Sequence, residues 1–315
     1  MLFTPTVSSK GGEIPVKDNK KRFQIVDALL IVMMIAPLVA AMAIKVLTTP
    51  ASEGISITGA RILFTIPMPI QDLIISEAQV NSWLILITIL GFCLFITHGL
   101  KEDKRDWRQM AAEWIVEKVD DLVHNSMENV FHDSYAPFIA TILAISACSS
   151  LMSLFGVFPP TADVNVIAGW SILVFALITK NKLKAGIGNY AKGFLEPIPV
   201  MLPMNILSEF ATPISMTFRH FGNVMSGTVI ATLVAWALQN LSAMVLGWLP
   251  GFLGDVPFLQ VGIPAILSVY FDIFSGCIQA YIFAMLTMLN VSGAYPAEAI
   301  AERLAKREER KAKAA

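Results

Sequence analysis

Long apolar blocks separated by short polar segments run through the whole sequence. The blocks span 26–46, 83–97, 137–158, 164–179, 206–238 and 262–290. A helix needs about 20 apolar residues to cross a hydrocarbon core about 30 Å thick. Because the blocks approach or exceed that length, the pattern predicts an all-α integral membrane protein with about six membrane helices.

The last two blocks are longer than a bilayer is thick. They contain 33 and 29 residues, which correspond to about 50 Å and 44 Å of helix at about 1.5 Å per residue. Helices of that length must tilt, kink or curve to fit. The segment 247–261 between them is rich in glycine and proline. We therefore expect a long, strongly tilted C-terminal helical hairpin.

The first block fits either a membrane anchor or a long signal peptide. Small residues at Ala40, Ala41 and Ala43 resemble a cleavage region. The block exceeds the apolar core of about 7 to 15 residues that signal peptides have, which favours a helix that the mature chain keeps.

The segment 107–132 mixes charged residues with apolar ones at helical spacing, among them Trp107, Trp114, Val119 and Leu122. This pattern is typical of an amphipathic helix that lies on the cytoplasmic membrane face. A solvated connector helix fits the same pattern equally well.

Composition and charge support the membrane assignment and give an orientation. The chain is 55% hydrophobic and 15% charged, with a mean hydropathy of +0.65. Of its 23 Lys and Arg residues, all but Lys45, Arg61 and Arg219 lie before the first block, at 100–135, at 180–198 or in the tail. Since basic loops stay on the cytoplasmic side, both termini are expected to face the cytoplasm.

These patterns divide the chain into five parts. We predict a cytoplasmic basic N-terminus at 1–25, an extra membrane helix at 26–48, an outside loop with short strands at 49–80, a membrane core at 81–295 and a cytoplasmic charged tail at 296–315.

Several function classes are not supported. The net charge of −1 and the absence of a basic, aromatic-rich soluble segment argue against nucleic-acid binding. No metal-ligand spacing joins the four histidines, and no P-loop occurs. We therefore expect neither a cofactor nor a metal, and no catalysis of ATP chemistry by this chain alone.

Arg219 is the most informative residue, because it lies at least twelve residues from either end of its apolar block. A mid-membrane arginine costs about 2.5 kcal/mol or more and stays charged, so it must be satisfied. One reading is an internal salt bridge to Glu209 or Asp272. Glu209 lies about 15 Å away along the helix, too far for easy pairing. The other reading is a functional charge.

Polar residues lie near Arg219 in its own apolar block and also along the last block. Asn223 shares a helix face with Arg219, and Asp272, Ser275 and Gln279 share a face of the last block. Such stripes indicate either a wet ion path or interhelical hydrogen bonding.

Two further polar positions have structural explanations. Asp163 and Asn165 lie at the start of the fourth helix, where an aspartate is typical of an N-cap. His220 points about 100° away from Arg219, and we interpret it as a packed or lipid-side histidine rather than a proton relay.

The run Thr-Pro-Ile-Ser-Met-Thr-Phe-Arg-His-Phe-Gly-Asn at 212–223 resembles the signature of subunit a of F-type ATP synthases. The centre of that signature usually reads Arg-Leu-Phe-Gly-Asn, so His220 departs from it. Stretches at 278–287 and 160–166 also resemble the family and occur in its order. The resemblance covers about 76–295, and the first helix and its loop look like an addition.

The resemblance implies a mechanism. The two long helices would lie against a rotating ring of c subunits, with Arg219 facing the ring between two offset half-channels. A ring carboxylate near Arg219 would release its ion, since an opposite charge lowers a carboxyl pKa. The resemblance also implies peripheral-stalk b subunits, the remaining ATP synthase subunits and a bacterial inner membrane.

The resemblance also assigns roles by position. It makes Arg219 the essential gate, Gln279 its neighbour on the opposing helix and Asn223 a polar lining residue of the ion pathway. Asp163 and Asn165 would line the outer half-channel, and Glu209 and Ser215 would belong to the cytoplasmic half-channel. Thr228 and Asp272 lie where the family commonly has ionisable partners. A proton is the expected ion, with Na⁺ left open. The alternative function is a secondary ion transporter, which often has two corresponding halves that are not visible here.

Overall fold

The structure, a computed structural model, describes residues 16–48, 59–69, 72–100, 107–127, 132–195, 198–246, 262–294 and 305. Helices make up most of this part of the chain. They are α1 (Val16–Thr48), α2 (Glu77–Thr97), α3 (Trp107–Ser126), α4 (His132–Met152), α5 (Val164–Lys182), α6 (Ile187–Gly193), α7 (Leu202–Leu246), α8 (Ile263–Ser268) and α9 (Gly276–Gly293). A π-helical segment, Val269–Ser275, joins α8 to α9.

In the part of the chain that the structure describes, six helical stretches are long and apolar enough to cross a membrane. They are Phe23–Leu47, Glu77–Thr97, Tyr135–Phe155, Val164–Lys182, Pro199–Val245 and Ile263–Gly293. The prediction of an all-α membrane protein with six spans, the last two of them long, is thus confirmed. The loop at 247–261 and the tail at 296–315, apart from residue 305, lie outside the described residues.

The start of α2 meets the turn between α4 and α5. Asn81 Nδ2 donates to the carbonyl of Phe158 at 2.8 Å, just before Pro159 and Pro160. We call this the proline end of the bundle.

At the opposite end, α4, α5 and α9 meet. Asn181 Nδ2 donates to the hydroxyl of Tyr135 at 3.1 Å and to the carbonyl of Val291 at 3.4 Å. We call this the basic end, because Lys182 and Lys184 lie there. Helices α4 and α5 therefore run between these two ends of the bundle.

The core of the bundle is small and lies between α4, α5, α7 and α9. Its most buried side chains include Ile139, Ile167, Val174, Phe283 and Met288. Large apolar side chains elsewhere face outward, for example Leu86 at 45% and Leu90 at 51% exposure on α2. An outer surface this apolar is what a lipid environment requires.

The extra first helix packs directly on α2. A Cβ on Gly91 would lie 3.1 Å from the backbone nitrogen of Met34 and 3.2 Å from the backbone carbon of Met33, so the two helix backbones approach closely. At the basic end of this pair, Asp27 accepts from Arg108 Nη1 at 2.9 Å and contacts His98 Nδ1 at 3.1 Å. Helix α1 thus contacts the bundle at Asp27 and again at Met33 and Met34.

A β-hairpin precedes α2, within the segment where short strands are expected. Strands β1 (Ile62–Ile66) and β2 (Leu73–Ser76) pair antiparallel. Arg61 Nε donates to Glu77 Oε2 at 3.0 Å, and the Glu77 side chain is almost fully buried. This pair attaches the hairpin to the first residue of α2.

Helix α3 occupies most of the segment expected to be amphipathic. Val123 is fully buried, and Val119 and Leu122 pack against the core. Trp107 and Trp114 remain 64% and 61% exposed. Its placement on a membrane face stays a prediction.

Candidate functional site

Arg219 lies within α7, on an exposed face of the helix. Phe218, Gly222 and Ser226 are exposed on the same side, at the spacing of four that defines one helix face. Within the described chain, Arg219 forms no hydrogen bond or salt bridge. The Arg219 side chain is therefore accessible on the surface of the described part of the subunit.

The two carboxylates considered as internal partners of Arg219 lie near other side chains. Glu209 accepts hydrogen bonds from Lys182 Nζ and, at 3.4 Å, from the Tyr190 hydroxyl. Asp272 lies near Ser153 and forms no salt bridge with Arg219 in the described chain. The structural reading of Arg219 as half of an internal ion pair is thus not supported among the described residues.

His220 lies on the other side of α7 and is fully buried. Its Nε2 is 3.3 Å from Ser146 Oγ on α4. Trp170 and Phe283 meet the imidazole edge-on, with ring centroids 6.2 Å and 5.5 Å away. The expectation of a packed or lipid-side histidine resolves to a packed one.

Asn223 joins α7 to the π-helical segment. Ser275 Oγ donates to Asn223 Oδ1 at 2.9 Å, and Asn223 Nδ2 donates to the Ser275 carbonyl at 3.3 Å. One turn further along α7, a Cβ on Gly227 would lie 3.1 Å from Phe271 Cβ. The helices approach closely here, so the polar stripe provides interhelical hydrogen bonds at this level.

On α9, Gln279 is buried within the bundle, with 5% of its surface exposed. Gly276 lies against α4: a Cβ there would be 2.5 Å from Ser150 Cβ. Asp272, half-buried, lies in the π-helical segment itself. Single-turn π-helical insertions are rare and frequent at functional sites.

A cavity of about 910 Å³ opens at the basic end. Polar groups among its lining residues are Lys182, Asn189, Tyr190, Asn205, Ser208, Glu209, Thr212 and Asn290. Burial raises the pKa of the Tyr190 phenol, and the Glu209 carboxylate raises that pKa further. Ser215, predicted to belong with Glu209, is exposed and is not among these lining residues.

At the proline end, Asp163 caps α5 by accepting from the backbone N–H of Asn165 at 2.9 Å. The cap interpretation is therefore confirmed, and the Asn165 side chain is exposed. Thr228 is exposed on α7 and donates its hydroxyl to the carbonyl of Val224 at 3.1 Å. Asp163 and Glu209 thus lie at opposite ends of the bundle.

Sequence reasoning missed the serines of α4. Ser146, Ser149 and Ser150 are all buried, and Ser149 Oγ lies 3.0 Å from Thr161 Oγ1. Their spacing of three and four inside an apolar block was the available signal, since it places them on one helix face.

The described residues thus form a multi-pass helical membrane protein that carries a charged residue, Arg219, on an exposed face of a long helix and polar groups at both ends of the bundle. The sequence profile of the ATP synthase A chain family matches residues 80–292. The chain belongs to this family.

Individual relatives agree with that assignment. "ATP synthase subunit a, sodium ion specific" of Propionigenium modestum is 27% identical over 269 residues, covering 75% of this chain and 85% of the relative. "ATP synthase subunit a 2" of Acaryochloris marina is 31% identical over 223 residues, covering 70% and 86%. "ATP synthase subunit a" of Bacillus subtilis is 31% identical over 195 residues, covering 58% and 78%.

Family membership fixes the general role. The chain is a multi-pass bacterial membrane protein, an ion-translocating subunit of the membrane sector of ATP synthase. It belongs to the ATP synthase complex and is not its catalytic part.

Proposed function

We propose that ions cross this subunit through two half-channels that meet the rotating c-ring on either side of Arg219. One observation carries the proposal: Arg219 lies on an exposed face of a membrane-spanning helix and lacks an internal partner among the described residues. A charge at that position is too costly to leave in lipid. A second protein that presents carboxylates would satisfy it.

The pairing explains how ions are released. A ring carboxylate that enters the field of Arg219 is stabilised in its charged form, because the attraction is weakly screened there. Its ion then leaves through one half-channel. A charged site is costly to expose to lipid, so the carboxylate reloads from the other half-channel before it moves on. Rotation follows from this alternation.

The basic-end cavity is proposed as the cytoplasmic half-channel. Glu209 supplies a carboxylate, and Lys182 and Tyr190 hold it in place. The cavity volume of about 910 Å³ admits many waters. Ser215, assigned here by resemblance, would act at the exposed surface between the cavity and Arg219.

The other half-channel is proposed to open at the proline end. Asp163 and Asn165 would line its entrance, and the Asp163 cap hydrogen bond leaves further carboxylate lone pairs for water. Asp272 and Thr228 would continue the path, and Asn223 and Gln279 would border Arg219. The interrupted helix at Val269–Ser275 supports a polar path, because irregular backbone at membrane depth occurs where it lines a cavity or is buried in protein.

Orientation and partners follow from the same scheme. The basic end and both termini would face the cytoplasm of a bacterium, and peripheral-stalk b subunits would hold the subunit against ring rotation. The ion is proposed to be a proton. A sodium ion, named for the Propionigenium modestum relative, is the alternative, and pumping with and without added Na⁺ distinguishes the two.

Photo-crosslinking tests the ring interface directly. A photoreactive phenylalanine is placed in the assembled complex at Phe218, which is 61% exposed beside Arg219, and as a matched control at Phe283, which is 1% exposed. Illumination should attach the c subunit to position 218 and not to position 283. Absence of any c-subunit product at 218, or co-purification without a ring, would favour a secondary transporter.

A further inference from the structure

His220 is held from three sides. Its Nε2 contacts Ser146 Oγ on α4 at 3.3 Å, and both residues are fully buried. Trp170 from α5 and Phe283 from α9 stand nearly perpendicular to its ring, at 87° and 83°. The imidazole is therefore held in one position by side chains from three helices, α4, α5 and α9.

The fixed position of the imidazole determines the direction of the preceding side chain, Arg219. Consecutive residues on a helix differ by about 100° in direction, so an imidazole fixed toward the core places Arg219 on the exposed face. A rotation of α7 by about 20° would move a side-chain tip about 6 Å from the axis by about 2 Å. Shifts of that size decide whether charged groups meet productively.

We infer that His220 is a positioning residue: its hydrogen bond to Ser146 sets the rotation of α7 and thereby aims Arg219 at the c-ring. The inference rests on the proposed function of Arg219. It assigns no proton transfer to His220. The role is particular to this chain's sequence, since the signature it resembles usually has leucine at this position.

The hydrogen bonding of His220 allows a positioning role to be distinguished from a role in packing alone. Its Nδ1 is buried and has no partner within the described chain. An unsatisfied buried nitrogen is destabilising. Replacement by leucine, which is of similar size and lacks polar atoms, should therefore preserve stability if His220 only fills space. Loss of function in a stable leucine variant is what positioning predicts.

The test uses the whole complex in vesicles, with ions pumped per ATP hydrolysed measured at equal amounts of assembled complex. His220→Leu and Ser146→Ala should each lower this ratio by about threefold or more. Their combination should be no worse than either alone, because both remove one interaction. His220→Gln, whose terminal amide offers both a donor and an acceptor near the position of Nε2, should restore most of the ratio.

Two outcomes are distinguishable. A normal ratio in His220→Leu and Ser146→Ala, while Arg219→Ala abolishes pumping, overturns the positioning role and leaves the proposed function intact. Normal pumping in Arg219→Ala overturns the proposed function itself. If His220→Leu does not assemble, Ser146→Ala decides the question, since it removes only a hydroxyl.

Discussion

Asn223 and Ser275 exchange two hydrogen bonds across the two long helices, at 2.9 Å and 3.3 Å. The pair fixes the height of α7 against the π-helical segment. Because Arg219 precedes Asn223 by one turn and Gln279 follows Ser275 by one turn, the same pair sets the relative level of those two residues.

The first prediction concerns this pair. Ser275→Ala removes the shorter of the two hydrogen bonds and should destabilise the helix pair by about 1 kcal/mol, the range of interhelical hydrogen bonds in membranes. Thermal dissociation of the purified complex measures the effect. Thr232→Val is the control, because Thr232 donates to the carbonyl of Thr228 in its own helix. Equal melting of both variants would contradict the assignment.

The second prediction concerns the contact of α9 with α4. In Gly276→Ala the new methyl group would lie 2.5 Å from Ser150 Cβ and 2.8 Å from Ser150 Oγ, so the helices must separate. We expect a loss of about 1–3 kcal/mol and reduced assembly, measured by the yield of intact complex.

Two matched variants control this experiment. Adding Ser150→Gly to Gly276→Ala should restore the yield, since it removes the clashing atoms. Gly169→Ala should be harmless, because a Cβ at Gly169 has no neighbour within 4 Å in the described structure. An unchanged yield in Gly276→Ala alone would show that α4 and α9 are not packed this closely.

The third prediction tests the basic-end cavity. Glu209→Gln keeps the shape of the side chain and removes its charge, so ATP-driven pumping should fall several-fold while assembly stays normal. Asp121→Asn is the control, because the Asp121 side chain is 57% exposed on α3. If both variants pump at the same rate as the wild type, the cavity is not on the ion path.

The fourth prediction concerns the first helix. Its contacts with α2 and the Asp27 pairing with Arg108 and His98 make it part of the folded bundle. We therefore expect the mature subunit to keep α1, and the intact mass of the purified subunit checks this. A mass that corresponds to cleavage after Ala43 would establish a signal peptide instead.

The apolar blocks predicted the six spans well, because burial in lipid depends on composition along the chain. Helix ends were less predictable. Helix α2 begins at Glu77 rather than near Trp83, since Arg61 pairs with the Glu77 carboxylate and Ser76 caps the helix. The sequence around Glu77 alone does not reveal a partner sixteen residues away.

The sequence predicted those features of the candidate site that depend on local helix geometry. It did not predict the contacts that depend on packing between distant segments. The spacing of Arg219 and His220 correctly separated their directions. The Ser146 partner of His220 lies 74 residues earlier in the chain, and the π-helical segment arises where Phe271 packs on Gly227. Neither contact has a local sequence signal.

The central claim is that Arg219 separates two half-channels at the ring, and ATP-driven ion uptake into vesicles tests it most directly. Arg219→Ala is compared with Lys118→Ala, whose side chain is 56% exposed on α3, at equal amounts of assembled complex. We predict that Arg219→Ala abolishes uptake while Lys118→Ala retains it. Normal uptake by Arg219→Ala would contradict the account.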